Sequence, residues 1–142
     1  MITRTATARY EGLGKAGKGR VSTGSGVLSD QGYSFGTRFE GEPGTNPEEL
    51  IAAAHAACFT MALSFALAKE GFTEGTLDTS AKVRLEPEGE GFKVSRSDLT
   101  LRADVPGIDE DRFRAVAEGA KANCPISKLL NAEIDLDYSL TS

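Results

Sequence analysis

Two cysteines and one histidine are all that this chain of 142 residues contains of those types, and the scarcity is informative. Zinc sites are recognised by closely spaced cysteine or histidine pairs, and none is present. No stapling is needed either, because a chain of this length buries roughly two-thirds of its unfolded surface in a single core. Basic charge is also short. Sixteen Lys and Arg stand against 21 Asp and Glu, a formal net charge of −5. The chain therefore lacks the basic stripe that nucleic acid or an anionic lipid surface demands, and no partner of either kind is expected. The segment from Met1 to Thr7 has no apolar core of the signal-peptide kind. The longest apolar run is interrupted by His55 and Cys58, so no membrane span is expected. A cytoplasmic protein of one domain, residues 1–142, is the expectation, with no linker, low-complexity segment or repeat. In a reducing compartment a permanent disulfide is disfavoured. Two thiols are then redox-active, metal-binding or merely packed.

Residues 2–10 and 20–28 alternate as strands do, joined by a tip carrying Gly12, Gly14, Gly17 and Gly19. That tip is no phosphate loop, since no Gly-Lys-Ser/Thr follows and it opens no helix. A third short strand is expected from Tyr33 to Phe39, then a breaker-rich loop. The first long helix follows. Asn46 suits its N-cap, Pro47 its first position, and Glu49 the reciprocal place of a capping box. Leu50, Ile51, Ala54, Cys58, Met61, Phe65 and Ala68 follow helical spacing, and intervening alanines leave almost no polar face before Lys69. A helix of about 24 residues, about 36 Å long, cannot be wrapped by one copy of this chain, so a second subunit is expected to cover part of it. Residues 76–86 and 92–105 read as an antiparallel pair with one wet face. Asp109 caps a second helix, with Ile108 and Phe113 placed as a hydrophobic staple and Phe113, Val116, Ala117 and Ala120 as its buried stripe. Pro125 breaks that helix at Cys124 and starts a short one, and residues 132–140 close the chain as a strand.

A thiol in an apolar helix is raised in pKa by desolvation, so a reactive Cys58 needs a cation. Arg38 is the candidate, because a guanidinium stays charged when buried and can bind a peroxide oxygen. The alternative is a solvated strand residue paired with Glu40. Glu48 and Glu49 complement the helix dipole. Glu48 precedes Cys58 by ten residues, roughly 15 Å of straight helix, so if both serve one site the helix bends or a second, antiparallel copy contributes one of them. The second arrangement is preferred. His55 shares a helix face with Cys58, which admits a Cys–His nucleophile or a metal site. Neither has the further groups it requires, and a packed, hydrogen-bonded histidine is the plainer reading. Phe35, Phe39, Phe59, Phe65 and Phe92 are first of all core, although some could line a pocket for an apolar tail. A non-catalytic redox or ligand-binding protein, with Cys58 packed, is the alternative from another class.

Several segments together carry a resemblance. They are Val21 to Leu28, Thr37-Arg38-Phe39-Glu40-Gly41, Gly44-Thr45-Asn46-Pro47-Glu48-Glu49-Leu50, Ala53 to Phe59 around His55 and Cys58, and Cys124-Pro125-Ile126-Ser127-Lys128. The chain resembles the osmotically inducible protein C and organic hydroperoxide resistance family, and its OsmC branch most. The resemblance implies an α+β fold in which antiparallel sheets wrap two central helices of an intertwined homodimer. It implies a peroxidase acting on organic hydroperoxides and, less efficiently, on hydrogen peroxide, in oxidative and osmotic stress defence. Carried over by motif, Cys58 is the peroxidatic thiol, Cys124 the resolving thiol, and Arg38 and Glu48 the activating pair. No cofactor or metal is implied. The partners implied are the hydroperoxide, a second copy of the chain, and an external dithiol reductant, which is a lipoylated protein for Ohr-like members.

Overall fold

The computed structural model describes all 142 residues, which fall into two compact units, Met1–Leu50 and Ile51–Ser142. The first unit is a small antiparallel sheet followed by one helical turn. Strands β1 (Ala6–Glu11) and β2 (Lys18–Thr23) form the expected hairpin, with Ala8 opposite Val21, and β3 (Gln31–Tyr33) adds to the other edge of β2. Every residue of β1 is exposed, so this sheet has little core of its own.

The third strand stops well short of the expected Phe39. Residues Phe35–Phe39 form the short helix α1 instead, because Ser34 caps it: the Ser34 hydroxyl accepts from the Thr37 N–H while the Thr37 hydroxyl accepts from the Ser34 N–H. Reciprocal capping of this kind outweighs the β-preference of the aromatic residues. Arg38 therefore projects from a helical turn.

Helix α2 (Pro47–Lys69) begins and ends where the sequence implied. Asn46 Oδ1 accepts from the Glu49 N–H at 2.8 Å, whereas the Glu49 carboxylate accepts from the Thr45 hydroxyl. At the far end Gly71, with φ +97°, is in the left-handed region, the Gly71 N–H reaches the Ala68 carbonyl, and the Phe72 N–H reaches that of Leu67. This is the Schellman ending, which a glycine adopts without a Cβ penalty.

The second unit is built on the long hairpin β4 (Thr76–Glu88) and β5 (Gly91–Asp104). The last strand, β6 (Glu133–Thr141), joins β5 on its other side and runs parallel to it, with Leu99 opposite Leu136, so this sheet is mixed where an antiparallel one was expected. Parallel pairing requires a long crossover, and α3 (Glu110–Asn123) and α4 (Pro125–Leu129) supply it. The Asp109 side chain caps α3 by accepting from the Arg112 N–H.

Two inward rows make the core of this unit. One runs along α2 as His55, Phe59, Leu63 and Leu67, and the other along β5 as Ser97, Leu99, Leu101 and Ala103. Phe113, Ala117 and Ala120 of α3 close over them with Ile108. The opposite face of α2 is bare: Met61 is 62% and Phe65 71% exposed, as are Ala54 and Ala57 beside them. Phe59 is thus the core aromatic of the helix and Phe65 is not. Phe39 and Phe92 also leave the expected core for the surface. By length and composition α2, with mean hydropathy 1.9 over its most apolar stretch, would reach across a bilayer.

Phe59→Ala removes a ring that has no exposed surface and is expected to lower the unfolding free energy by about 3–5 kcal/mol, whereas Leu13→Ala at the exposed hairpin tip is expected to change it by no more than about 0.5 kcal/mol. Urea unfolding of both variants at one protein concentration checks this.

Candidate functional site

The inward row of α2 begins with a polar residue, and so does that of β5. His55 is wholly buried, and both ring nitrogens are engaged: Nδ1 lies 2.6 Å from Ser97 Oγ and Nε2 lies 2.8 Å from Ser127 Oγ. Ser97 and Ser127 are themselves buried. A neutral imidazole offers one donor and one acceptor, and a hydroxyl on each side satisfies both. Burial alone holds the His55 pKa below its ordinary 6.5, so the ring is neutral at pH 7. Neither nitrogen is free to activate Cys58 directly or to ligate a metal, which disposes of the Cys–His hydrolase and leaves the packed histidine.

The two thiols lie close to this cluster in the same unit. Cys58 is three residues beyond His55 on α2 and is half-buried, whereas Cys124, between α3 and α4, has no exposed surface. Pro125 explains the second position: it keeps Cys124 extended, at φ −54° and ψ 128°, so that α3 ends and α4 restarts around the sulfur. The sulfurs are free thiols, not a disulfide, and each acts on the other's ionisation.

Their acidities diverge. Cys58 is raised, by burial first and then by its hydrogen bond with Cys124, with the Ile126 N–H acting weakly the other way. Burial also opposes ionisation of Cys124. There, hydrogen bonding from the Cys58 thiol, the Ser127 N–H and hydroxyl and the Ile126 N–H outweighs it and brings the thiol below its usual value. The surroundings of the sealed sulfur thus favour a thiolate more than those of Cys58 do, and the groups acting on Cys58 include no cation.

Arg38 and Glu48 meet in the first unit. Arg38 Nε donates to Glu48 Oε1 at 2.8 Å and Nη2 lies 2.8 Å from the same oxygen, with Oε2 at 3.3 Å from Nε. The partner of Arg38 is therefore Glu48 and not Glu40. The Glu48 side chain is 11% exposed and that of Arg38 is 38% exposed, so a buried carboxylate fixes a guanidinium that still faces outward. Two donors directed at one carboxylate hold its plane as well as its position. The structure thus joins the four expected residues in two pairs, Arg38 with Glu48 and Cys58 with Cys124, one in each unit. Ser97 and Ser127 were passed over in the sequence. A signal existed for Ser97, which heads a row of inward leucines.

Known proteins share the sequence and fold of this chain. The sequence pattern of OsmC-like proteins matches residues 39–139. That stretch contains Glu48, Cys58 and Cys124 and begins one residue after Arg38. Over 141 residues the chain is 54% identical to the peroxiredoxin OsmC of Escherichia coli, covering 99% of each. It is 33% identical to the organic hydroperoxide resistance protein OhrB of Bacillus subtilis over 143 residues, covering 99% of this chain and 98% of that one. The crystal structure of the B. subtilis OhrB superimposes with a TM-score of 0.69 at 30% identity, over 99% of this chain and 98% of the other. An organic hydroperoxide resistance protein of Elizabethkingia anophelis does so with a TM-score of 0.72 at 26% identity, over 100% and 97%. In sequence and in fold alike, this chain belongs to the OsmC family.

Proposed function

We propose that the chain is a thiol-dependent peroxidase that reduces organic hydroperoxides, and hydrogen peroxide less efficiently, by a cycle carried on Cys58 and Cys124. The observation that supports it most is the pairing of one reachable thiol with one sealed thiol in a chain that has no other cysteine. Relatives named for peroxiredoxin activity and for organic hydroperoxide resistance agree with it.

The reachable thiol is the one a peroxide can meet. Cys58 thiolate attacks the distal oxygen, the O–O bond breaks, and the alkoxide leaves as the alcohol after taking a proton, so that Cys58 becomes a sulfenic acid. The Cys124 sulfur then attacks Cys58, the S–O bond breaks, and water and a disulfide result. An external dithiol returns two electrons by thiol–disulfide exchange, and the dithiol of a lipoylated protein is the candidate donor. The cycle needs no metal or cofactor.

Within one copy the surroundings favour ionisation of the sealed sulfur over that of Cys58, and in this reading a second copy reverses the preference. Arg38 is the cation that moves the thiolate to Cys58 and stabilises charge on the breaking O–O bond, while Glu48 orients it. Ten residues of helix, about 15 Å, separate Glu48 from Cys58, so the pair that serves Cys58 comes from a partner whose α2 lies antiparallel to the first. The bare face of α2 supports this reading. Ala57, Met61 and Phe65 line an open groove of about 620 Å³ beside Leu77 of β4. An apolar surface of this kind on a soluble protein is a surface that another subunit covers. The whole chain is then one OsmC-like domain of a cytoplasmic, intertwined homodimer that serves in oxidative and osmotic stress defence.

Cys58→Ser is expected to lower dithiol-dependent turnover of cumene hydroperoxide by at least about a thousandfold, measured as peroxide consumption; parent-like turnover contradicts the enzyme assignment. In analytical ultracentrifugation at micromolar concentration the parent is expected to sediment at twice the 15.0 kDa chain mass and Phe65→Glu to shift towards the monomer. A monomeric parent contradicts the shared site.

A further inference from the structure

The first unit holds an apolar pocket that the cycle above leaves unassigned. Side chains alternate across a strand, so Ala8 of β1, Val21 of β2 and Tyr33 of β3 lie on one face of the small sheet, and Arg9, Lys18 and Arg20 on the other. The first face borders a pocket of about 200 Å³ that Pro47 and Leu50, one turn apart at the start of α2, close from the other side. Thr45 and Asn46 complete the lining, and both are already engaged. The Thr45 hydroxyl donates to Glu49, while Asn46 accepts from the Glu49 N–H through Oδ1 and donates to the Thr37 carbonyl through Nδ2. The walls therefore leave a ligand little beyond hydrocarbon contact.

The tyrosine wall is fixed by a glycine. Tyr33 pairs with Gly19 across the sheet, and Gly19 pairs with Tyr10 on its other side. The two rings close over the glycine with their centroids 6.2 Å apart, and the Tyr10 hydroxyl donates to the Gly14 carbonyl at 2.8 Å. A Cβ on Gly19 would stand 2.5 Å from the Tyr33 ring, so the ring keeps this place only because the residue beneath it has no side chain.

We propose that this pocket seats the organic part of the hydroperoxide, and that its size selects compact groups such as tert-butyl or phenyl over long acyl chains. The proposal rests on the peroxidase and shared-site reading above. Two lining residues adjoin the activating pair: Asn46 is bonded to Thr37, which precedes Arg38, and Pro47 precedes Glu48. Arg38 spends Nε and Nη2 on Glu48 and faces outward, so guanidinium N–H groups remain for a peroxide oxygen. The first unit thus offers a cation to the polar end of the substrate and a hydrocarbon pocket to the other end. Sites for drug-sized molecules start at about 300 Å³. This pocket is smaller, so a branched or aromatic group fills it and a long chain does not fit. In the shared site the copy that lends Arg38 also seats the organic group while the partner's Cys58 attacks the peroxide.

Steady-state turnover of the full chain with dithiothreitol as reductant tests this, with hydrogen peroxide as the substrate that has no organic part. Val21→Phe keeps a residue suited to a strand and fills the pocket from the sheet. It is expected to lower kcat/KM for cumene hydroperoxide about tenfold or more, chiefly through KM, and to leave that for hydrogen peroxide within about twofold of the parent. Tyr33→Ala widens the pocket and is expected to raise the preference for linoleic acid hydroperoxide over cumene hydroperoxide about tenfold. A binding measurement needs no turnover of an organic peroxide: 2-phenylpropan-2-ol, the alcohol left by cumene hydroperoxide, is expected to inhibit hydrogen peroxide turnover by the parent at least about tenfold more strongly than by Val21→Phe. A cumene-to-hydrogen peroxide ratio that stays at the parent's value in Val21→Phe, whether or not overall activity falls, overturns the pocket assignment. Unchanged long-chain preference in Tyr33→Ala overturns the size selection. A parent chain that turns over neither peroxide overturns the peroxidase reading beneath both.

Discussion

The unequal readiness of two neighbouring sulfurs to ionise is the constraint on which the site depends. Cys58 and Cys124 come from segments far apart in sequence, and their neighbours set which sulfur ionises more readily. Burial opposes either thiolate. The donors around the start of α4 favour the one on Cys124, which no peroxide can reach. The proposed cycle therefore has to favour the thiolate on the half-buried sulfur of α2 first, and afterwards use the sealed one to close the disulfide. A cation beside Cys58 is what chemistry of this kind requires, and the chain carries one already oriented, in the Arg38–Glu48 pair of its first unit.

The same helix presents the two surfaces that this logic needs. Its inward row, His55, Phe59, Leu63 and Leu67, fixes Cys58 relative to β5 and α4 by packing and by the two serine hydrogen bonds. Its outward row is as apolar as the inward one but stays largely exposed in the chain itself. In the proposed homodimer that second surface is where the copies meet, and the contact has a chemical consequence, since the copy that covers the helix would also bring its arginine. On that proposal folding, assembly and activation of the thiol are parts of one arrangement.

Much of this was legible before any coordinates. Asn46 and Pro47 at the start of α2, the Asp109 cap, the Pro125 break at Cys124 and the alternation of β4 and β5 are local signals, and the structure has each of them. What the sequence hid was relational. Ser34 and Thr37 turn Phe35–Phe39 into a helix through a mutual cap that aromatic β-preference masks. The parallel pairing of β6 depends on where its crossover docks, which alternation cannot reveal. An apolar residue in a helix that is apolar on all sides carries no mark of facing inward or outward, so Phe59 and Phe65 looked alike. The partners of His55 lie 42 and 72 residues away, and no spacing rule connects them.

The central claim is that the cation serving Cys58 belongs to another copy, and mixed dimers test it most directly. Cys58→Ser chains retain Arg38, and Arg38→Ala chains retain both thiols. Each variant alone is expected to be inactive towards cumene hydroperoxide. Unfolded together and refolded as a mixture, they are expected to regain activity that neither shows by itself, because in the mixed dimer one site combines an intact Cys58 with the intact Arg38 of its partner. Mixed dimers that form, as mass spectrometry of the intact assembly would show, and yet remain inactive would contradict the account.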